Sequence, residues 1–433
     1  MYLNTYRRYL AAFALAGPLA AGAATPADVQ ATFHPYDDAP PRVEGLNPGM
    51  TIDQGNVERF AGLLDPATLQ SIREGWYRIE VGETTSFAPH PDYEALTLEH
   101  LGEARLGDKN GVIEGYRGGL PFPAAPDADD PRAGEKLAWN FKYSFGTGDA
   151  GVYAPFYYIL RDMETGNTER TIKFGYYLQK HDFRVVQEPV PALTPNPSGI
   201  FRSFYLRVFE PDDIRDTQLL IQRYLDDTQL DDAYLYLGFQ RRVRRLATGQ
   251  TTDAFLGTDI MIEDFEGYNA RISDMQWRYV ETKTTLAPMY NHNDQELGKA
   301  DEDGDYRFIA TGGQGNCYMD VTWQLRTTHV LEATPVDPSH ALGKRVLYLD
   351  AQTYTIPVSN MYDRNQKLWK AHLVGFSHPD HHLPENKGSG VPLFDGVSMI
   401  DFQARHCTVG LIRGTVQQPP PEIFTTQYMR GAD

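Results

Sequence analysis

Between Cys317 and Leu331 the chain reads CYMDVTWQLRTTHVL, in which Cys317, Met319, Val321, Trp323 and Leu325 alternate with Asp320, Thr322, Gln324 and Arg326. Successive side chains of an extended strand point to opposite faces, so this period of two specifies a β-strand with one apolar and one polar side. LAWNFKYSF alternates in the same way, with Leu137, Trp139, Phe141, Tyr143 and Phe145 opposing Asn140, Lys142 and Ser144, and a half-buried strand is predicted there too. DMQWRYVET and the long run from Lys344 to Val374 add further strands, the latter folded into a hairpin at the polar turn Asp363-Arg364-Asn365-Gln366. DTQLLIQRYLDD, from Asp216, fits a helix and a strand equally. Strands joined by short turns, in a chain with 26 Tyr and 21 Phe, imply a mainly β fold built as an antiparallel meander. A long sheet of this kind must cover its aromatic face or curl around it; curling leaves an apolar cavity, and the other outcome is a filled core. On this pattern the candidate cavity residues are Trp139, Phe141, Tyr143, Trp277, Trp323 and Leu325, each of which also suits an ordinary core.

The first 24 residues have basic Arg7 and Arg8, an apolar run from Leu10 to Ala21 and small residues up to Ala23 and Ala24, the pattern of a secretory signal peptide. The run is too short to span a bilayer and Gly17-Pro18 interrupts it, and with no cysteine near the cut no lipid attachment is expected there. A periplasmic protein is therefore expected. Residues 25–50 read as an extended lead-in, and 51–433 as one β domain with inserted loops, including the Pro- and Gly-rich stretch 118–136. Within that domain Asp65 as N-cap, Pro66 at the first helical position and Gly75 past the end predict a short helix. Cys317 and Cys407 fit either a disulfide or two buried thiols. The net charge of −18 sets the chain against nucleic acid as a partner.

Templates for catalysis fail. The chain has no G-x-S-x-G and no P-loop, and Gly312–Asn316 reads as a turn. Asp301, Asp303 and Asp305 alternate as in a calcium loop, but Tyr306 and Gly312 stand where such a loop needs Gly and Glu, so a solvated acidic turn is expected. His378, Asp380, His381 and His382, with His372 upstream, contain zinc-type ligands without a metal-binding spacing. His406 beside Cys407 is a neighbour along the chain, whereas a nucleophile needs its base across space. No metal, cofactor or catalytic residue is expected, with an exported metal-dependent hydrolase using the His378–His382 loop as the alternative.

The stretch from Ala233 to Tyr268, AYLYLGFQRRVRRLATGQTTDAFLGTDIMIEDFEGY, concentrates arginines on the second arm of a hairpin that turns at Gly238. Arg242 and Arg244 share one face, while Arg241 and Arg245 flank Val243 on the other. Guanidinium groups are not buried unpaired, so the nearest downstream carboxylates, Asp259, Glu263 and Asp264, are the expected partners. Together YLYLGFQRRVRR, EDFEGYNARISDMQWRYVETK and the upstream GYRGGLPFP resemble the Gram-negative envelope family "domain of unknown function 1329" (DUF1329), related to outer-membrane lipoprotein-sorting (LolA/LolB-like) proteins. Family members often carry Pro-Gly where this chain has Gly238-Phe239, and the His-rich loop is not a family hallmark. The resemblance implies a curved, incomplete antiparallel β-barrel with a few short helices, long loops and an apolar cavity for acyl chains, and it brings no catalytic residue. It also implies partners: a hydrophobic ligand or lipid, an RND-type transporter and outer-membrane proteins. The expected function is a non-catalytic periplasmic carrier or chaperone for a lipid, lipoprotein or other hydrophobic compound. A further alternative is a cavity-free adaptor of an RND-type transport complex.

Overall fold

The computed structural model describes residues 24–246, 252–290 and 306–431. The residues up to Ala23 of the expected signal peptide, part of the stretch after the arginine run and Asp301–Asp305, where an acidic turn is expected, lie outside the described residues.

Fifteen of the described strands join one sheet. From one end, Thr51–Ile52 and Ile79–Val81 lead into a meander of Thr322–Pro335, Lys344–Asp350, Val358–Tyr362, Leu368–Ser377, Leu393–Asp401 and His406–Thr415. His406–Thr415 pairs with Ala150–Asp162, the first strand of a second meander through Thr168–Lys180, Ile200–Glu210, Gln218–Tyr224 and Asp232–Leu237 to Arg242–Arg245. Met275–Ala287 pairs with 322–335 off this path, and Ile79–Val81 pairs with it in parallel. The two ends do not pair with each other among the described residues, so the sheet is curved and open rather than a closed barrel, and the mainly β expectation holds. The 363–366 turn joins two paired strands as the sequence predicts, and the ambiguous segment 216–227 contributes a strand.

Both faces of this sheet are buried. On strand 368–377, Val374 and Phe376 join one apolar cluster while Leu373 joins another. The second cluster is covered by the N-terminal layer, where Ile52, Val57, Phe60, Ile72 and Tyr77 meet Trp323, Leu325 and Val409. The predicted helix is present as Pro66–Arg73, and the Asp65 carboxylate accepts from the Ala67 and Thr68 amides at 3.0 Å. The disulfide Cys317–Cys407 forms inside this layer, with Cα atoms 5.8 Å apart, and decides between the two readings of the cysteines.

Three expectations are corrected. Residues 137–143 are not a strand but part of the helix Ala133–Tyr143, whose first half carries the helix formers Ala133, Glu135, Lys136, Leu137 and Ala138. The backbone of Gly134 lies against strand 275–287, where an added Cβ would stand 2.7 Å from the Tyr279 amide nitrogen, so the helix beds closely onto the sheet. The 25–50 lead-in is not simply extended: Thr25 and Asp28 form a capping box that starts the helix Pro26–Phe33, and Val29, Phe33 and Tyr36 are buried. Finally, the polar face of strand 322–335 is not solvated. Arg326 is fully buried, its guanidinium pairing with Asp350 at 2.7 and 3.0 Å and lying 4.5 Å from the centre of the Tyr36 ring.

The arginine hairpin forms, with Val243 opposite Tyr236 and Arg244 opposite Leu235, but its second arm is the terminal strand of the sheet. Arg242, Arg244 and Arg245 are exposed there, and Arg245 pairs with Asp232 of its own hairpin. The downstream carboxylates turn the other way, onto the face of the sheet. Asp259 accepts from Thr408 and meets His406, both at 2.7 Å; Glu263 and Asp264 share Arg345; and Glu266 pairs with Arg202 at 2.7 Å and accepts from the Tyr176 hydroxyl at 2.6 Å. Segment 255–269 is thus pinned across three parts of the sheet, with Glu266 at φ +59° and Gly267 at φ +93° where it turns.

Three outcomes follow for stability. Replacing Cys317 and Cys407 by Ser removes a cross-link over 90 residues and should cost roughly 2–5 kcal/mol in urea unfolding; an unchanged midpoint would contradict this. Arg345→Met leaves buried Asp264 without its arginine and Glu263 with His340 alone, and should cost ~3–5 kcal/mol, whereas Arg244→Ala on the exposed edge should stay within about 0.5 kcal/mol. Burial holds His181, His329 and His372 down to about 4, against an ordinary 6.5. A depressed imidazole contributes stability that is present above 6.5 and lost as pH falls toward 4, so the urea midpoint should drop between pH 7 and pH 5, above the carboxylate range. A midpoint that stays flat over that interval counts against neutral, buried imidazoles.

Candidate ligand cavity

Under the pinned segment, Ile260 and Phe265 face strands 150–162, 168–180, 368–377, 393–401 and 406–415 across a cavity of about 40 Å³. That is room for a few water molecules. Its walls are mostly aromatic: Phe156 stacks on Phe174 at 4.4 Å, and Tyr158 meets Phe156 edge-on at 4.9 Å. Tyr153 and Phe156 both face it although they are three residues apart, because the pairing of strands 150–162 and 168–180 slips between them and turns Phe156 back to the same side. Tyr153, Tyr158 and Tyr176 are all held well above the usual tyrosine range by burial, so their hydroxyls stay protonated.

The lining also includes polar groups. Asp264, Glu266 and His372 reach the cavity, the first two already engaged by Arg345 and Arg202. The His372 imidazole is 3% exposed, its Nδ1 has no hydrogen-bond partner, and burial keeps it neutral against the opposing pull of Asp264. Beyond Glu266 and Phe394, which form walls of both spaces, lies a second cavity of about 30 Å³ lined by Phe141, Lys142, Arg202, Arg223 and Thr355 among others. Lys142 donates to Asp227 at 2.6 Å and stands 4.9 Å from the centre of the Trp139 ring; Arg223 pairs with Asp231 at 2.7 Å. Burial pushes the Lys142 ammonium down, and Asp227 opposes it.

The six residues taken from the sequence as cavity candidates are not brought together. Trp139, Tyr143 and Trp277 pack in the layer between the helix and strand 275–287, with the Trp277 indole donating to the Ile272 carbonyl at 2.9 Å. Trp323 and Leu325 lie under the N-terminal layer, where the Trp323 indole donates to the Tyr77 hydroxyl at 3.0 Å. Of the six, Phe141 lines the second of these two cavities and the other five line neither. The aromatic runs GVYAPFYYIL and KFGYYL supply the walls of the first, and Pro155 interrupts the alternation that would have shown them.

The histidine loop does not converge. His382 is buried, its Nε2 within 2.9 Å of both Tyr306 Oη and Asp395 Oδ1 and its Nδ1 within 2.9 Å of the Asn386 amide. His378 accepts from the Asp380 amide at the start of a short turn, while His381 is exposed. Among the described residues no group of three or more His, Cys, Asp or Glu is placed to hold a metal ion, and no helix is long and apolar enough to cross a membrane.

Over 336 residues the chain is 23% identical to the uncharacterized protein PA3922 of Pseudomonas aeruginosa, covering 75% of this chain and 68% of that one. Among solved structures it is similar to a DUF1329 family protein from Desulfovibrio piger, at 15% identity and TM-score 0.47 over 70% of this chain and 99% of that one. It is also similar to the LolA superfamily protein NE2245 from Nitrosomonas europaea, at 13% identity and TM-score 0.37 over 65% of this chain and 91% of that one. The family described as "Protein of unknown function (DUF1329)" matches residues 51–430, and the chain belongs to that family.

Proposed function

We propose that this protein is a non-catalytic carrier or chaperone of the Gram-negative periplasm that encloses a lipid, the acyl part of a lipoprotein or another hydrophobic compound. The observation that carries this reading is the aromatic cavity between one sheet face and a segment fixed to it by Asp259, Glu263, Asp264 and Glu266. An apolar space covered by one segment suits enclosure, and the protonated tyrosines and the neutral His372 add no net charge to it. Sites for drug-sized ligands measure about 300–1,000 Å³, so an acyl chain enters only if segment 255–269 lifts or the aromatic walls rearrange. Work alongside an RND-type transporter and outer-membrane proteins belongs to the same proposal.

The small size of the space favours one second reading, an adaptor that carries nothing. Native mass spectrometry of protein isolated from the periplasm of the producing cell, followed by titration of the delipidated protein with an apolar fluorescent dye, separates the two. The carrier reading expects a copurifying lipid and one saturable dye site, weakened about tenfold or more by Val374→Phe, which fills the cavity from its wall. Protein that is always empty and never takes up dye would leave the adaptor.

A further inference from the structure

The two cavities differ in chemistry and share a wall. The first presents aromatic rings; the second presents Lys142, Arg202 and Arg223 against Glu266 as its lining carboxylate. The partners of Lys142 and Arg223, Asp227 and Asp231, are not among the groups that line it, so each cation is charge-paired while the lining itself presents more cationic donors than carboxylates. The Lys142 and Arg223 side chains are both buried, and with Arg202 they give the lining groups able to hydrogen-bond an oxyanion. Glu266 stands between the two spaces and occupies Arg202 through its carboxylate at 2.7 Å.

We propose that the ligand is an amphiphile with a single acyl-type tail and an anionic oxyacid head, the tail lying in the aromatic cavity and the head in the cationic one against Arg202. This rests on the carrier reading above. The head competes with Glu266 for the Arg202 guanidinium, so Glu266 sets the threshold for binding and Arg202, Arg223 and Lys142 set the sign of charge accepted. A cationic head cannot accept from these donors or displace Glu266 from Arg202, and a neutral head accepts no hydrogen bond of the strength an anion does.

Four probes that separate tail from head test this on the intact, disulfide-bonded protein by dye displacement: hexadecanoate, hexadecyl phosphate, hexadecanol and inorganic phosphate. The two anionic amphiphiles should bind about tenfold or more tightly than hexadecanol. Glu266→Gln should widen that ratio by freeing Arg202, and Arg202→Gln should collapse it while hexadecanol binding persists. Equal affinity for hexadecanoate and hexadecanol in the unaltered protein overturns the head-group site and leaves the carrier standing. Failure of all three amphiphiles overturns the carrier reading and this inference with it. Inorganic phosphate that protects against thermal unfolding as strongly as hexadecyl phosphate marks a site for free anions and overturns the amphiphile. A Glu266→Gln protein that folds but keeps the original ratio removes Glu266 from competition for Arg202 and counts against the proposal.

Discussion

The fully buried guanidinium of Arg345, shared by Glu263 and Asp264, is the contact on which the cavity side of the molecule depends. Burying three charged groups is costly, and their mutual attraction offsets that cost only while all three remain in place. Burial also works against ionisation of Glu263, yet its carboxyl is held below the usual range, mainly by Arg345 and then by His340. The pairing therefore specifies position more than it adds stability: segment 255–269 fits the sheet face in one register, with Asp259 at Thr408 and Glu266 at Arg202. Without the segment, Phe156, Phe174 and Val374 would form an open apolar face. With it, they become a cavity.

The rest of the architecture serves the same separation. An open sheet leaves edges and two faces to cover. The N-terminal layer covers one face through Phe60, Ile72 and Tyr77, with the disulfide inside it, while the helix Ala133–Tyr143 beds on strand 275–287. Those regions hold tight aromatic contacts, such as Tyr77 on Tyr318 at 4.4 Å, and buried arginine pairing at Arg326. The pinned segment differs in kind. It is held by several charged side chains across a space that is not filled, which is how a cover differs from a core.

How much of this the sequence reveals depends on the range of the interaction. Asp65, Pro66 and Gly75 act within one helix and could be read directly, and the 363–366 turn likewise. Thr25, Pro26 and Asp28 carried an equally local signal, the capping box, inside a stretch whose Pro and Gly content suggested extended chain. At 137–145 the alternation was real but matched a helix too, since Leu137, Ala138 and Phe141 also lie at helical spacing; contact of Gly134 with strand 275–287 favours the helix. The cavity was illegible for another reason. Its aromatic walls lie on strands whose register slips at Pro155, and its pins join Asp264 to Arg345 across 81 residues. Charge complementarity predicted that these carboxylates would find arginines; proximity in sequence chose the wrong ones, because a terminal strand leaves Arg242 and Arg244 in solvent.

Charge is in acidic excess over the chain as a whole and paired inside. The chain is strongly acidic, yet Lys142, Arg223, Arg326 and Arg345 are all buried, each against its own carboxylate. On the proposed reading this has a kinetic consequence. The external field repels an anionic amphiphile approaching through solvent, and an anionic bilayer surface as well, while the groups able to hold its head are reached only inside. Repulsion of that kind is screened beyond about 8–10 Å at physiological ionic strength, so it acts on the last approach of a free anion to the surface and not on distant encounter. A carrier built this way loads poorly from free solution and well from a partner that docks against it, and Glu266 keeps Arg202 satisfied until the transfer occurs.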